Sequence, residues 1–206
     1  AAAGELALDL SDADLELYGG FMAGLTADFN LIATLDAPRA AVSYPRAGGY
    51  VPAAADNRYN AWACKTTLTG APAGKLRGKR VVVKDNIAVA GLPLLNGSKV
   101  MEGFVPDEDA TVVRRVLDAG ATIVGKGVCE NFCFSGGSHT SASGPVRNPH
   151  NPAHMTGGSS SGCAALLVTG EADLAIGGDQ GGSIRMPASF SGCVGIKPTY
   201  GLVPYT

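Results

Sequence analysis

The two Gly-Gly-Ser steps of the run Met155 to Thr206, Gly157-Gly158-Ser159 and Gly181-Gly182-Ser183, constrain this chain more than any other feature. Glycines set just before a serine adopt backbone angles that other residues avoid and let another group approach the amides closely. Successive amides exposed in that way form a nest for a negatively charged oxygen. A serine beside such a nest can attack a carbonyl carbon while the nest holds the oxyanion that forms. A single step of this kind reads most simply as a glycine-rich turn. Two of them flank a helical segment here, with Gly178-Asp179-Gln180 ahead of the second and Ile184-Arg185 behind it. That arrangement points to a site made of backbone amides. Glycine agrees with it, at 29 of 206 residues, about twice the usual ~7%.

The rest of the chain falls into two parts. Ser11-Asp12-Ala13-Asp14 fits a helix-opening capping box, with Asp in place of the more usual Glu. Leu15, Tyr18, Met22, Leu25, Phe29 and Ile32 then step by three and four, a helical stripe. Packing on a core and facing a second copy in a homodimer are both open for that stripe. Residues 37–57 read as irregular linker, so 1–75 is expected to be a helical appendage and 76–206 the catalytic domain. Within 76–206 the pattern predicts a strand at 80–84 and a helix at 111–119 capped by Asp109. It continues with a strand at 121–125, a turn at 129–134, a helix at 161–169 and a strand at 173–177. Strands alternating with helices argue for an α/β fold, a mixed, largely parallel sheet with helices on its faces.

Composition excludes several classes. The net charge of −2 offers no basic face for nucleic acid, and no apolar run is long enough to span a membrane. Five cysteines without C-x-x-C spacing read as reduced, buried thiols, which implies a cytoplasmic setting. Cys129 and Cys133 lack the following His or Cys pair that a zinc site needs, so no metal is expected.

A serine hydroxyl needs a base to take its proton. The three histidines, His139, His150 and His154, all lie in one polar loop and read as solvated. Gly158-Ser159-Ser160-Ser161-Gly162 satisfies the nucleophile-elbow pattern of α/β-hydrolases, but that triad needs a later histidine and none follows His154. Lysine can serve instead only when uncharged, and burial favours the uncharged amine. Lys84 ends the apolar run Val81-Val82-Val83, which suits that role. An ordinary ion pair with Asp85 remains equally open from the residues alone.

The run from Met155 to Thr206, with Gly157-Gly158-Ser159-Ser160-Ser161-Gly162, Gly181-Gly182-Ser183-Ile184-Arg185 and the trailing Gly195-Ile196-Lys197-Pro198-Thr199, resembles the amidase signature family. That resemblance implies a Ser–cis-Ser–Lys site in which Ser183 is the nucleophile, Ser159 the relay in a cis peptide and Lys84 the base. It implies an oxyanion hole from the amides of Gln180, Gly181, Gly182 and Ser183, with Ser160, Asp179 and Arg185 in support. Phe134 falls where the family lines its acyl pocket, although plain core is an even alternative. Gly178 departs from the threonine frequent at that position. The resemblance further implies hydrolysis of small-molecule amides to acid and ammonia through an acyl-serine, with no cofactor. The 130–138 run and Met186 look closer to broad-specificity amidases of nitrile-degrading bacteria. The rival within the family is the A-subunit of a tRNA-dependent amidotransferase, which releases ammonia from glutamine. Family members run well past twice this length, so the chain is expected to be the N-terminal part of a longer enzyme.

Overall fold

In a computed structural model, which describes residues 2–5, 7–35 and 40–205, the chain divides into two compact units, Ala1–Arg39 and Ala40–Thr206. The first holds α1 (Ala2–Glu5) and α2 (Asp12–Thr34). The capping box forms as expected: the Ser11 hydroxyl accepts from the Asp14 N–H, and the Asp14 carboxylate accepts from the Ser11 N–H. Two amides that the helix start leaves unpaired are thereby satisfied. No residue of α2 is buried, so the apolar stripe has no core to join within its own unit.

The second unit begins earlier than the expected boundary near residue 75. Trp62–Thr69 forms β1, with Trp62, Cys64, Thr66 and Leu68 turned inward, and it pairs antiparallel with a later strand. Of the expected linker, residues 37–39 lie outside the described residues. The remainder carries a bridge between Tyr50 and Lys65 and a short 3-10 turn, Ala54–Asp56.

The other strands are β2 (Arg80–Lys84), β3 (Thr122–Gly127) and β4 (Leu174–Ile176), giving the sheet order β1-β3-β2-β4. β2 runs parallel to both β3 and β4, and only β1 is antiparallel, so the sheet is mixed and largely parallel. Helix α3 spans Thr111–Asp118, α4 Ser161–Val168 and α5 Arg185–Ser191. Alternate residues of β2 serve opposite faces. Val81 and Val83 pack with Val113, Val116 and Leu117 of α3, whereas Val82 packs with Cys163, Ala165 and Leu166 of α4. Helices therefore cover both faces, as the pattern predicts. Each fully buried valine contributes about 1.5–3 kcal/mol, so β2 is anchored from both sides and its last residue is held firmly.

One local expectation needs correcting. Ala110, not Asp109, occupies the cap position of α3, and it makes no side-chain cap bond. The Asp109 carboxylate instead accepts the Ala90 N–H at 2.9 Å and pairs with Arg46. It ties two loops together, because a buried carboxylate needs a charged or N–H partner more than the helix start needs a cap.

Candidate active site

Lys84 ends β2 on the face that Val82 shares with α4, and it is fully buried. Its Nζ donates to Ser159 Oγ at 2.6 Å and lies 3.5 Å from the Gly178 carbonyl oxygen. The ion pair with Asp85 that the sequence leaves open does not form. Asp85 pairs at 3.2 Å with Lys126, whose ammonium also donates to the Pro93 carbonyl at 2.8 Å. Burial pushes the Asp85 carboxyl above its usual range, while Lys126 and the Gly97 and Leu95 amides pull it back. One lysine thus takes the neighbouring acid, and the other is left facing serines.

Ser159 is fully buried at the N-terminal approach to α4, and the Gly158–Ser159 peptide is cis. Glycine is required at 158, because an added Cβ would stand 2.1 Å from the Gly137 carbonyl oxygen. The Ser159 carbonyl accepts the Glu130 N–H at 3.2 Å. Ser160 joins the two serine segments: its N–H donates to the Ser183 carbonyl at 3.1 Å and its hydroxyl donates to the Gly178 carbonyl at 3.3 Å. Gly178 leaves space, with the nearest atom to an added Cβ being Lys84 Nζ at 3.8 Å.

Ser183 is buried and follows β4 through the loop 177–182. Asp179 organises this loop. Its carboxylate accepts the backbone N–H groups of Gly182, Ile184 and Arg185 at 2.6, 3.1 and 3.2 Å. Arg185 adds a two-pronged contact, Nε and Nη2 each at 2.9 Å. The Asp179 side chain is fully enclosed while that of Arg185 is 54% exposed, so only one end of the pair is buried. The Arg185 side chain first, and the three amides after it, hold the Asp179 carboxyl far below its usual range against the opposing effect of burial. The Gly182 N–H, expected to face an oxyanion, is committed to this carboxylate. Among the described residues, the amides of Gln180, Gly181 and Ser183 donate to no protein acceptor.

Phe134 is 94% exposed, which removes the core reading of that residue. The three histidines are exposed, and His150 Nε2 lies 3.0 Å from the Ser191 carbonyl oxygen, away from Lys84. Among the described residues no group of three or more His, Cys, Asp or Glu stands together as a metal site. No helix among them is long and apolar enough to cross a membrane.

Four further residues belong to this centre without a sequence signal that places them there. Glu130 is fully buried, with Oε2 accepting from the Thr140 N–H and hydroxyl and Oε1 unpartnered. Asn96, in the left-handed region at φ 49°, offers Oδ1 to both Cys129 and Cys133. Cys129 first, then Lys84 and Ser159, draw the Cys133 thiol below its usual range against burial. Lys126 is the fourth, taking Asp85. The Asn96-Gly97 turn dipeptide was the one available hint.

Comparison with known proteins identifies the family. The amidase family model matches residues 44–206. An enantioselective amidase of Rhodococcus rhodochrous is 53% identical over 170 residues, 82% of this chain and 33% of the relative. The glutamyl-tRNA(Gln) amidotransferase A-subunit of Haloarcula marismortui is 52% identical over 145 residues, 70% of this chain and 34% of the relative. Among solved structures, the corresponding A-subunit from Thermotoga maritima superposes with a TM-score of 0.69 at 38% identity, over 72% of this chain and 33% of its own. The peptide amidase of Stenotrophomonas maltophilia gives 0.60 at 41%, over 64% and 28%. The chain spans about a third of the length of the curated relatives it matches. With the family model matching residues 44–206 and a relative 53% identical over 82% of this chain, the chain belongs to the amidase family.

Proposed function

We propose that the protein hydrolyses carboxylic acid amides to acid and ammonia, with Ser183 as nucleophile, Ser159 as proton relay and Lys84 as base. The observation that carries this reading is the buried Lys84 Nζ 2.6 Å from Ser159 Oγ, with Asp85 turned to Lys126. Lys84 takes the Ser159 proton as Ser159 takes that of Ser183, whose oxygen attacks the amide carbon. The oxyanion falls to the free amides of Gln180, Gly181 and Ser183, while Gly182 acts through Asp179 by holding the loop in shape. Ser159 then returns a proton to the leaving nitrogen, and water cleaves the acyl-Ser183 ester. An oxyanion donor of this kind supplies about 10²–10³-fold in rate and a positioned base about 10²–10⁴-fold.

The A-subunit of an amidotransferase is a second reading, favoured by the 52% identity and the 0.69 superposition with such proteins. Met186 after Arg185 favours the simple amidase, since the resembling amidotransferase signature carries glutamine there. A fluorophosphonate adduct mapped by mass spectrometry in the intact enzyme tests the shared chemistry: it is expected on Ser183 and absent in Ser183→Ala. Labelling on a cysteine, or labelling that survives Ser183→Ala, sinks the assignment. Ammonia release from aliphatic and aromatic amides supports the first reading, and release confined to glutamine supports the second.

A further inference from the structure

The fold brings two thiols together beside the serine–lysine pair, and the proposed hydrolysis uses neither. Cys129 is fully buried just after β3, and Cys133 is half-buried at the end of the short 3-10 turn Asn131–Cys133. Both sulfurs converge on one acceptor, Asn96 Oδ1, at 3.8 Å for Cys129 and 3.2 Å for Cys133. The turn is also tied to Ser159 through the backbone, the Cys133 N–H donating to the Glu130 carbonyl at 2.8 Å and the Glu130 N–H to the Ser159 carbonyl at 3.2 Å. Phe132 and Cys133 both lie in the left-handed region, at φ 46° and 59°, which non-glycine residues seldom adopt. The tight turn they make brings the Cys133 sulfur to Asn96 Oδ1, beside that of Cys129.

The electrostatics fit the geometry. The Cys129 hydrogen bond above all, then Lys84 and Ser159, hold the Cys133 thiol below the usual range against burial, while the same contact and burial hold Cys129 above it. A partly accessible sulfur with thiolate character is the form that reacts with hydroperoxides, and a neighbouring thiol is what resolves the product.

We propose that Cys133 is a peroxide-sensitive switch on the Lys84–Ser159 relay, oxidised by a hydroperoxide and then closed into a disulfide with Cys129. This rests on the serine–lysine reading above. The Cys133 thiolate attacks one peroxide oxygen, the O–O bond breaks, and hydroxide leaves to be protonated. Sulfur is oxidised to the sulfenic acid and the peroxide is reduced. The Cys129 sulfur then attacks the Cys133 sulfur, the S–O bond breaks, and water leaves as the S–S bond forms. Two thiols and one hydrogen peroxide give one disulfide and two waters, and a dithiol reverses the change. Closure takes both sulfurs from their shared acceptor, Asn96 Oδ1. It also pulls on the turn through the Cys133 N–H to Glu130 carbonyl bond (2.8 Å), and Glu130 in turn holds the Ser159 carbonyl.

The test uses the intact enzyme, reduced, freed of reductant, exposed to hydrogen peroxide and quenched with catalase. Peptide mapping without reductant should find a Cys129–Cys133 cross-link lighter by about 2 Da. Fluorophosphonate labelling of Ser183 and amide hydrolysis should each slow at least about tenfold, and dithiothreitol should restore both. In Cys129→Ser, Cys133 should stop at a sulfenic acid that dimedone captures. In Cys133→Ala, whatever labelling rate remains should no longer respond to peroxide. Peroxide losses that persist in Cys133→Ala overturn the switch, as does a cross-link that leaves Ser183 labelling unchanged. Because the cross-link is read by mass, the two readings fail separately. Label on reduced Ser183 with no cross-link overturns the switch alone, whereas no label on reduced Ser183 overturns the relay and the switch's output with it.

Discussion

Lys84 separates two roles that a buried cation can play, charge and proton exchange. Lys84→Ala and Lys84→Arg are both expected to lower kcat/KM by about 10²–10⁴-fold, since a guanidinium cannot give up its proton near neutrality. Steady-state kinetics on variants shown to be folded by circular dichroism checks this. His139, His150 and His154 changed together to Asn should leave most of the rate in place. A triple variant as inactive as Lys84→Ala overturns the lysine mechanism. Asp179 is the second residue to probe. Its folded carboxyl titrates below the unfolded value, so its hold on the serine loop is complete above about pH 4 and weakens only as the pH falls toward that lowered value. Asp179→Asn loses the charge-assisted bonds to Arg185 and three amides, and should slow Ser183 labelling at pH 7 about 10–100-fold. A variant that labels at the wild-type rate refutes an organising role for Asp179.

At the scale of elements, β2 is clamped to β4 at their starts. The Arg80 N–H, Nε and Nη2 all donate to the Asp173 carboxylate, and the Asp173 N–H donates to the Arg80 carbonyl. The Arg80 guanidinium first, then the Arg80 amide, hold the Asp173 carboxyl down to about 2. The clamp is therefore fully present above the unfolded value near 4 and is lost as the pH falls through about 2. Denaturant unfolding of Asp173→Asn against wild type should show a gap at pH 7 that narrows below about pH 4, and a pH-independent gap refutes the clamp. Helix α4 offers a steric contrast. A Cβ at Gly162 would stand 2.3 Å from both the Ala61 carbonyl oxygen and the Val128 amide nitrogen, whereas one at Gly178 meets nothing closer than 3.8 Å. Gly162→Ala should cost about 1–3 kcal/mol or more, and Gly178→Ala should stay within about 0.5 kcal/mol, by thermal or denaturant unfolding. How much of this was legible follows from what each signal depends on. β2, α4 and the capping box of α2 announce themselves through local pattern. β1 does not, because the polar Thr66 takes an inward position and the apolar Ala63 an outer one, so the alternation of apolar and polar residues is broken. That Lys84 and Ser159 come together was readable from the resemblance, although they lie 75 residues apart. The partner of Asp85 was not, since Lys126 reaches it only through the parallel pairing of β2 with β3.

Across the whole molecule the sheet sorts charge between its two faces. Lys84 follows Val82 toward α4 and the serines, while Asp85 and Lys126 form their pair apart from it. The serine segment and the Asp179 loop are joined to Lys84 by contacts that span 75 residues for Ser159 and 94 for the Gly178 carbonyl. Non-local closures of this kind are slow to form and appear late in folding. A nucleophile assembled from such distant pieces has no reactive precursor. A chain still emerging from synthesis, or one half unfolded, carries its serines as ordinary alcohols and poses no hydrolytic hazard to its surroundings. On the mechanism proposed above, reactivity at Ser183 is in that sense a certificate of assembly, and a fluorophosphonate counts finished molecules where a spectroscopic probe counts helices.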